Sequence, residues 1–109
     1  MEKYNEIRSK ITKVGLVAWI DFPCWGPHPG LIIEEYDNGD LLVISGTSQT
    51  WHEGDEGGFV KVEQGCGLSK PTWFNCSETY RVPRSREMCI AGKMADDLFI
   101  EISERVEGL

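Results

Sequence analysis

Three short polar segments hold the residues of this chain whose types and spacing could do chemistry. The first is residues 26–30, with His28 between two prolines, and the second is residues 47–49, a Thr-Ser-Gln cluster that closes an apolar run. The third is residues 67–74, a turn that opens a strand. An imidazole can give or take a proton near neutral pH, and hydroxyl and amide groups can donate hydrogen bonds. These residue types indicate a site that handles a phosphate group.

The apolar runs beside the first two segments predict a hairpin that brings those segments together. Residues 31–36 and 41–45 are apolar enough to form strands, and Asn38-Gly39 between them is the strongest short-range hairpin signal. Pairing the two strands places the end with His28 beside the end with Thr47. The sequence therefore predicts one polar rim at this end of the hairpin.

The remaining patterns predict a mainly β chain that ends in a helix. Residues 14–21 form a strand that is apolar on both faces, which indicates a closed or doubly covered sheet. Residues 22–29 include three prolines and are expected to form a loop without regular pairing. Further short strands are predicted over residues 59–62, 72–76, 79–82 and 88–91. Residues 95–106 have an apolar stripe and acidic residues in the first turn, which predict a terminal helix.

The number and length of these elements predict a small, partly open barrel. A length of 109 residues fits one domain over residues 1–109, with residues 1–13 as an N-terminal extension. Within that extension, residues 2–11 have the spacing of a short amphipathic helix. The N-terminus is polar, no secretory segment follows it, and no apolar stretch is long enough for a bilayer. The expected location is cytoplasmic, without a membrane partner.

Charge and cysteine spacing limit the classes of site. The net charge is −7, and residues 14–58 contain no Lys or Arg, so a nucleic-acid surface must use cations from other segments. The four cysteines form no Cys-x-x-Cys pair, and His28 and His52 have no metal-ligand spacing with them. Buried free thiols are favoured over a zinc site, and no metal or cofactor is predicted.

Over residues 14–106 the chain resembles the MazF/PemK-like toxins of bacterial toxin–antitoxin systems. A first strand ends in Asp21-Phe22-Pro23, and a basic residue and proline, His28-Pro29, precede the next strand. The Thr-Ser-Gln cluster, a Gly-Leu-x-Lys-Pro-x-x-Phe segment and a Gly-Lys-Met stretch follow in the family's order, at residues 47–49, 67–74 and 92–94.

The resemblance implies an SH3-like barrel that forms a homodimer and works as a metal-independent endoribonuclease on single-stranded RNA, restrained by a cognate antitoxin protein. It implies that the ribose 2′-hydroxyl is the nucleophile and that a basic side chain and a threonine flank the scissile phosphate. By position these are His28 and Thr47, with Ser48 and Gln49 as supporting donors. The protein then only positions groups, moves protons and stabilises negative charge.

Two departures from the family pattern affect how RNA would be held. The family's usual arginine before the proline is replaced by His28, which lacks the permanent charge and forked donors of arginine. The second departure is that residues 14–58 contain no Lys or Arg, so the cations that hold RNA must come from other strands. In addition, Trp25 could stack on a base. The residues expected to hold RNA in this way are Trp25, Arg81, Arg84, Arg86 and Lys93.

A second hypothesis is a non-catalytic barrel of the same descent, from a phage or mobile element. Its acidic surface would bind and inhibit a protein partner by imitating nucleic acid. The acidic residues concerned are Glu34, Glu35, Asp37, Asp40, Glu53, Asp55 and Glu56.

Overall fold

The computed structural model describes residues 13–23, 25–48, 58–63 and 65–108. Within these residues, seven strands precede one closing helix, named here α1, with a single 3-10 turn at Arg84–Arg86. The strands are β1 Leu16–Phe22, β2 Gly26–Glu35, β3 Leu41–Thr47, β4 Phe59–Val62, β5 Thr72–Asn75, β6 Tyr80–Val82 and β7 Glu87–Lys93, and α1 is Asp96–Glu107. The predicted mainly β chain with a terminal helix is confirmed.

All strand pairs are antiparallel, and the strands form one sheet in the order β4-β5-β3-β2-β1-β7. Strand β3 pairs with three other strands. One edge of β3 pairs with β2, while the other pairs with β6 near Leu41 and with β5 at Gly46 and Thr47. In the described part of the chain, β4 and β7 stand at opposite ends of this order, so the sheet is partly open.

Strands β1, β2 and β3 carry buried side chains on both of their faces. On one face, Val17, Leu31 and Ile44 belong to a core that also contains residues of β4, β5 and α1. On the other face, Ile20 and Val43 belong to a second core with Val82 of β6 and other neighbours. Side chains alternate between the faces of a strand, so each central strand contributes to both cores. The predicted double burial of the first strand is confirmed.

The predicted loop over residues 22–29 is wrong in its second half, because β2 already begins at Gly26. Pro27 pairs with Asp21, and Pro29 pairs with Trp19. Residues two apart on a strand direct their backbone nitrogens to the same side, and the pairing of β2 with β3 reaches only as far as Gly30. We infer that both proline nitrogens face the side where β2 has no strand neighbour, the position at which a strand tolerates proline.

The predicted hairpin between β2 and β3 is confirmed. The Tyr36 N–H donates to the Asp40 carbonyl at 2.9 Å, and the Asp40 N–H donates to Asn38 Oδ1 at 3.0 Å. Gly39 has φ of +92°, a conformation that glycine adopts without steric cost. The predicted N-terminal helix and nearly all of the polar stretch between β3 and β4 lie outside the described residues.

A partly buried ion pair joins the chain just before β1 to the start of β7. Lys13 Nζ lies 2.6 and 2.7 Å from the two carboxylate oxygens of Glu87, whose side chain is 11% exposed.

The described part of the chain contains no helix that is long and apolar enough to cross a membrane.

Candidate functional site

A cavity of about 350 Å³ opens where the ladder between β2 and β3 ends. The pairing of these strands stops at Gly30 and Ser45, and β3 then pairs with β5 on its other edge. The residues beyond that point line the cavity together with the segment before β5. Among the described residues, the polar ones that line it are His28, Thr47, Ser48, Ser69, Lys70 and Thr72. The volume is at the lower end of the roughly 300–1,000 Å³ of small-ligand sites.

The two strands bring His28 and Thr47 to the same face of the sheet. Gly30 and Ser45 lie opposite each other, and side chains two residues apart on a strand share a face. His28 lies two residues before Gly30, and Thr47 lies two residues after Ser45. The structure thus brings together His28, Thr47 and Ser48, as the hairpin predicted, while Gln49 lies outside the described residues.

The third polar segment reaches the same cavity through a tight turn. Cys66 and the glycines on either side of it have positive φ, and the Leu68 N–H donates to the Gly65 carbonyl at 3.1 Å. The turn lies directly on β7, since a Cβ added to Gly67 would be 1.8 Å from the Ala91 carbonyl oxygen. This contact sets the position of the segment that supplies Leu68, Ser69 and Lys70 to the cavity wall.

The charges at the cavity favour an anion. None of the described residues that line it is Asp or Glu, and Lys70 is the one Lys or Arg among them. The Thr72 hydroxyl donates to the Lys70 carbonyl at 3.1 Å, which ties the backbone of Lys70 to the start of β5. From the sequence, Lys70 is only one of several cations that could build a basic surface, and Ser69 has no predicted role.

An aromatic cluster borders the cavity at His28. The ring of Trp25 lies 6.3 Å from that of His28 at 87° and 5.2 Å from that of Tyr80 at 78°, and Phe22 packs against all three rings. Trp25 is 49% exposed and lies beside the imidazole of His28, so part of the indole that we expect to stack on a base is accessible to solvent. Burial raises the pKa of Tyr80 to about 12, assisted by its hydrogen bond to the Glu78 carboxylate and by that group's charge.

Two of the predicted RNA-binding arginines lie at the other end of the hairpin. Arg81 pairs with Asp40 at 3.1 Å, and its guanidinium lies 3.9 Å from the centre of the Tyr36 ring. Arg84 packs against Gly39 in the turn. The strand position paired with Arg81 is five residues from Thr47, which is roughly 17 Å along a strand. The structure does not bring Arg81 and Arg84 to the cavity.

The other two predicted cations lie on the β1 side. Arg86 pairs with Asp21 at 3.3 Å, and Asp21 is opposite Pro27, next to His28. Lys93 is opposite Leu16 at the far end of β1, with its side chain 68% exposed. Arg86 is therefore close to the first polar segment but bound to a carboxylate, and Lys93 is away from the cavity.

The described residues contain no group of three or more His, Cys, Asp or Glu side chains that could hold a metal ion. Cys66, Cys76 and Cys89 are free thiols, and burial raises the pKa of Cys66 and of Cys76. Burial of the thiols is confirmed for Cys76, which is 2% exposed, and is wrong for Cys89, which is exposed on β7.

The chain matches no protein-family model and no curated protein. Its function must therefore be inferred from the cavity, where two polar strand ends and one turn meet beside an exposed tryptophan.

Proposed function

We propose that the protein is a metal-independent endoribonuclease that cleaves single-stranded RNA at this cavity. The observation that supports it best is the convergence of His28 with Thr47 and Ser48 in a cavity whose described walls contain no carboxylate. A proton-transfer group and hydroxyl donors are what a phosphodiester needs when its own ribose supplies the nucleophile.

In the proposed reaction the ribose 2′-hydroxyl attacks the neighbouring phosphorus. The new bond to the 2′ oxygen forms as the bond to the 5′ oxygen of the next nucleotide breaks, leaving a 2′,3′-cyclic phosphate and a 5′-hydroxyl. His28 accepts the 2′ proton, and the imidazolium so formed protonates the leaving 5′ oxygen. Thr47 and Ser48 donate hydrogen bonds to the non-bridging oxygens as negative charge builds up. Trp25 stacks on a flanking base.

We include in this proposal the SH3-like barrel and membership of the MazF/PemK-like family. The antiparallel order β4-β5-β3-β2-β1-β7 and the partly open sheet are compatible with such a barrel. The ordered segments around His28, Thr47 and Lys70 support membership, because all three meet at one cavity. A homodimer and a restraining antitoxin are the partners that membership implies.

The alternative, an acidic surface that imitates nucleic acid, finds less support. Asp40 is engaged by Arg81 at 3.1 Å, and Glu35 accepts a hydrogen bond from the Lys13 backbone N–H at 3.2 Å. Two of its acidic side chains are thus used within the fold. That hypothesis also gives no role to the cavity, so we favour the ribonuclease.

The test is incubation of mixed single-stranded RNA with purified protein in excess chelator. The wild type is compared with the double variant His28→Ala, Thr47→Ala, and Arg105→Gln on the outer part of α1 is the matched control. We expect cuts at a short sequence, with cyclic phosphate ends, from the wild type and the control. Removing the proton-transfer group alone should lower the rate by about 10²–10⁴-fold.

A denaturation and refolding step precedes a second assay, because a bound antitoxin would mask activity. RNA left intact by the wild type both before and after refolding contradicts the proposal. Equal cutting by the double variant moves the reaction away from this cavity.

A further inference from the structure

We propose that Lys70 binds the charge of the phosphodiester in the cavity. This inference depends on the proposed function and adds to it the residue that provides the permanent positive charge. By the resemblance His28 occupies the position of the family's arginine, and an imidazole lacks the permanent charge of arginine. In the structure Lys70, on the segment before β5, lines the same cavity as His28.

The surroundings of Lys70 favour this role over the other cations near the site. The chain has a net charge of −7, so RNA must be attracted by a local cation rather than by the whole surface. Arg86, the nearest predicted arginine, is bound to Asp21 at 3.3 Å. Among the described lining residues, by contrast, Lys70 meets no carboxylate. Within the described residues, no lining carboxylate therefore competes with a phosphate for the charge of Lys70.

The backbone that supports Lys70 is fixed from two directions. The Thr72 hydroxyl donates to the Lys70 carbonyl at 3.1 Å. On the other side, Gly67 touches the backbone of Ala91 on β7, and Leu68 packs against the buried core. A rigid base with a long, exposed side chain suits a lysine that acts as a point charge toward a phosphate group.

The experiment compares Lys70→Gln and Lys70→Arg with the control Arg105→Gln. Arg105 pairs with Glu101 at 3.9 Å on α1 and does not line the cavity, so its replacement removes the same charge from the protein outside the site. The cleavage probe is an RNA that contains the cut site of the wild type. The binding probe is single-stranded DNA of mixed sequence, which lacks the 2′-hydroxyl and is not cut, titrated at several salt concentrations.

The logarithm of the affinity falls as the logarithm of the salt concentration rises, and loss of one phosphate contact to a single strand makes this negative slope shallower by about 0.7. We expect that change in Lys70→Gln and not in Lys70→Arg or Arg105→Gln. We also expect cleavage by Lys70→Gln to fall by about 10²-fold, since removal of one charge-stabilising donor has an effect of this order. Equal urea midpoints for all variants establish that the fold is retained.

The possible outcomes separate the two proposals. If the wild type cleaves RNA and Lys70→Gln keeps both the slope and the rate, Lys70 is not the phosphate contact and the ribonuclease stands. If the wild type binds the DNA but cleaves no RNA, the ribonuclease fails while the slope still tests Lys70. If the wild type neither binds nor cleaves, both proposals are overturned.

Discussion

Replacing Gly67 by alanine should separate the turn before β5 from β7. The added Cβ would lie 1.8 Å from the Ala91 carbonyl oxygen and 2.4 Å from its carbon, against 3.4 Å for an ordinary contact. Both neighbours are backbone atoms, so no side-chain rotation relieves the overlap. The φ of +74° adds a penalty of about 1–2 kcal/mol for an alanine, and overpacking adds about 1–3 kcal/mol. We expect the free energy of unfolding to fall by about 4 kcal/mol.

Two matched variants divide this value into its causes. Gly26 has φ of +78°, and an added Cβ there would meet nothing within 4 Å, so Gly26→Ala isolates the backbone penalty of about 1–2 kcal/mol. Gly92 faces the turn from β7 without a positive φ, and its Cβ would lie 2.5 Å from the Cys66 carbonyl carbon. Gly92→Ala therefore isolates the overlap, about 1–3 kcal/mol.

The assay is urea unfolding followed by tryptophan fluorescence, with the slope of free energy against urea as a check that the unfolded state is unchanged. A Gly67→Ala value within about 0.5 kcal/mol of Gly26→Ala would show that the turn does not rest on β7. If Gly67→Ala does not fold at all, Gly92→Ala still measures the contact.

Three further predictions concern an acid, a base and a thiol. The pKa of Tyr80 is raised to about 12 from 10.0, so the contribution of Tyr80 to the free energy of unfolding is complete below pH 10 and is lost as pH rises through about 12. Because Glu78 helps to raise this pKa, Glu78→Gln should move the midpoint of the Tyr80 phenolate absorbance to lower pH. Lys13→Met should lower the free energy of unfolding by about 2 kcal/mol, since Glu87 stays mostly buried without this partner, and an unchanged urea midpoint would contradict this. The Cys76 thiol, 2% exposed, should react with Ellman's reagent only on unfolding, so its modification in native protein as fast as in urea would refute its burial.

The rim of the cavity was predictable because a local signal fixes it. Asn38-Gly39 determines where the chain reverses and therefore which strand ends meet. Between Ile32 and Glu34 the pairing of β2 with β3 then shifts by one residue, and this shift brings Gly30 opposite Ser45. Once Gly30 faces Ser45, His28 and Thr47 must share a face. The turn thus predicts the shared rim, whereas the shift between Ile32 and Glu34 decides which side chains share a face.

The positions of the cations and prolines were not predictable, because they depend on pairing between distant segments. Arg81 is at the wrong end of the hairpin for the cavity because β6 pairs with the first half of β3. Lys70 reaches the cavity because Gly67 docks on β7. Pro27 and Pro29 are tolerated in β2 only because β3 does not pair with them. None of these relations is visible in residue types or spacing.

The two buried cores have a consequence for how the strands keep their alignment. Where both faces of a strand are apolar, sliding it by one residue exchanges one apolar set for another, so polarity alone does not oppose the slip. Volume opposes it instead. A Cβ at Gly30 would lie 2.7 Å from Ile20 Cγ1, and one at Gly46 would lie 2.8 Å from Thr72 Cγ2, so each strand fits its neighbour at one setting. The lack of a side chain at these two glycines therefore fixes the register of the strands. Both glycines lie where the cavity begins, so the same close packing also sets the spacing of His28 and Thr47.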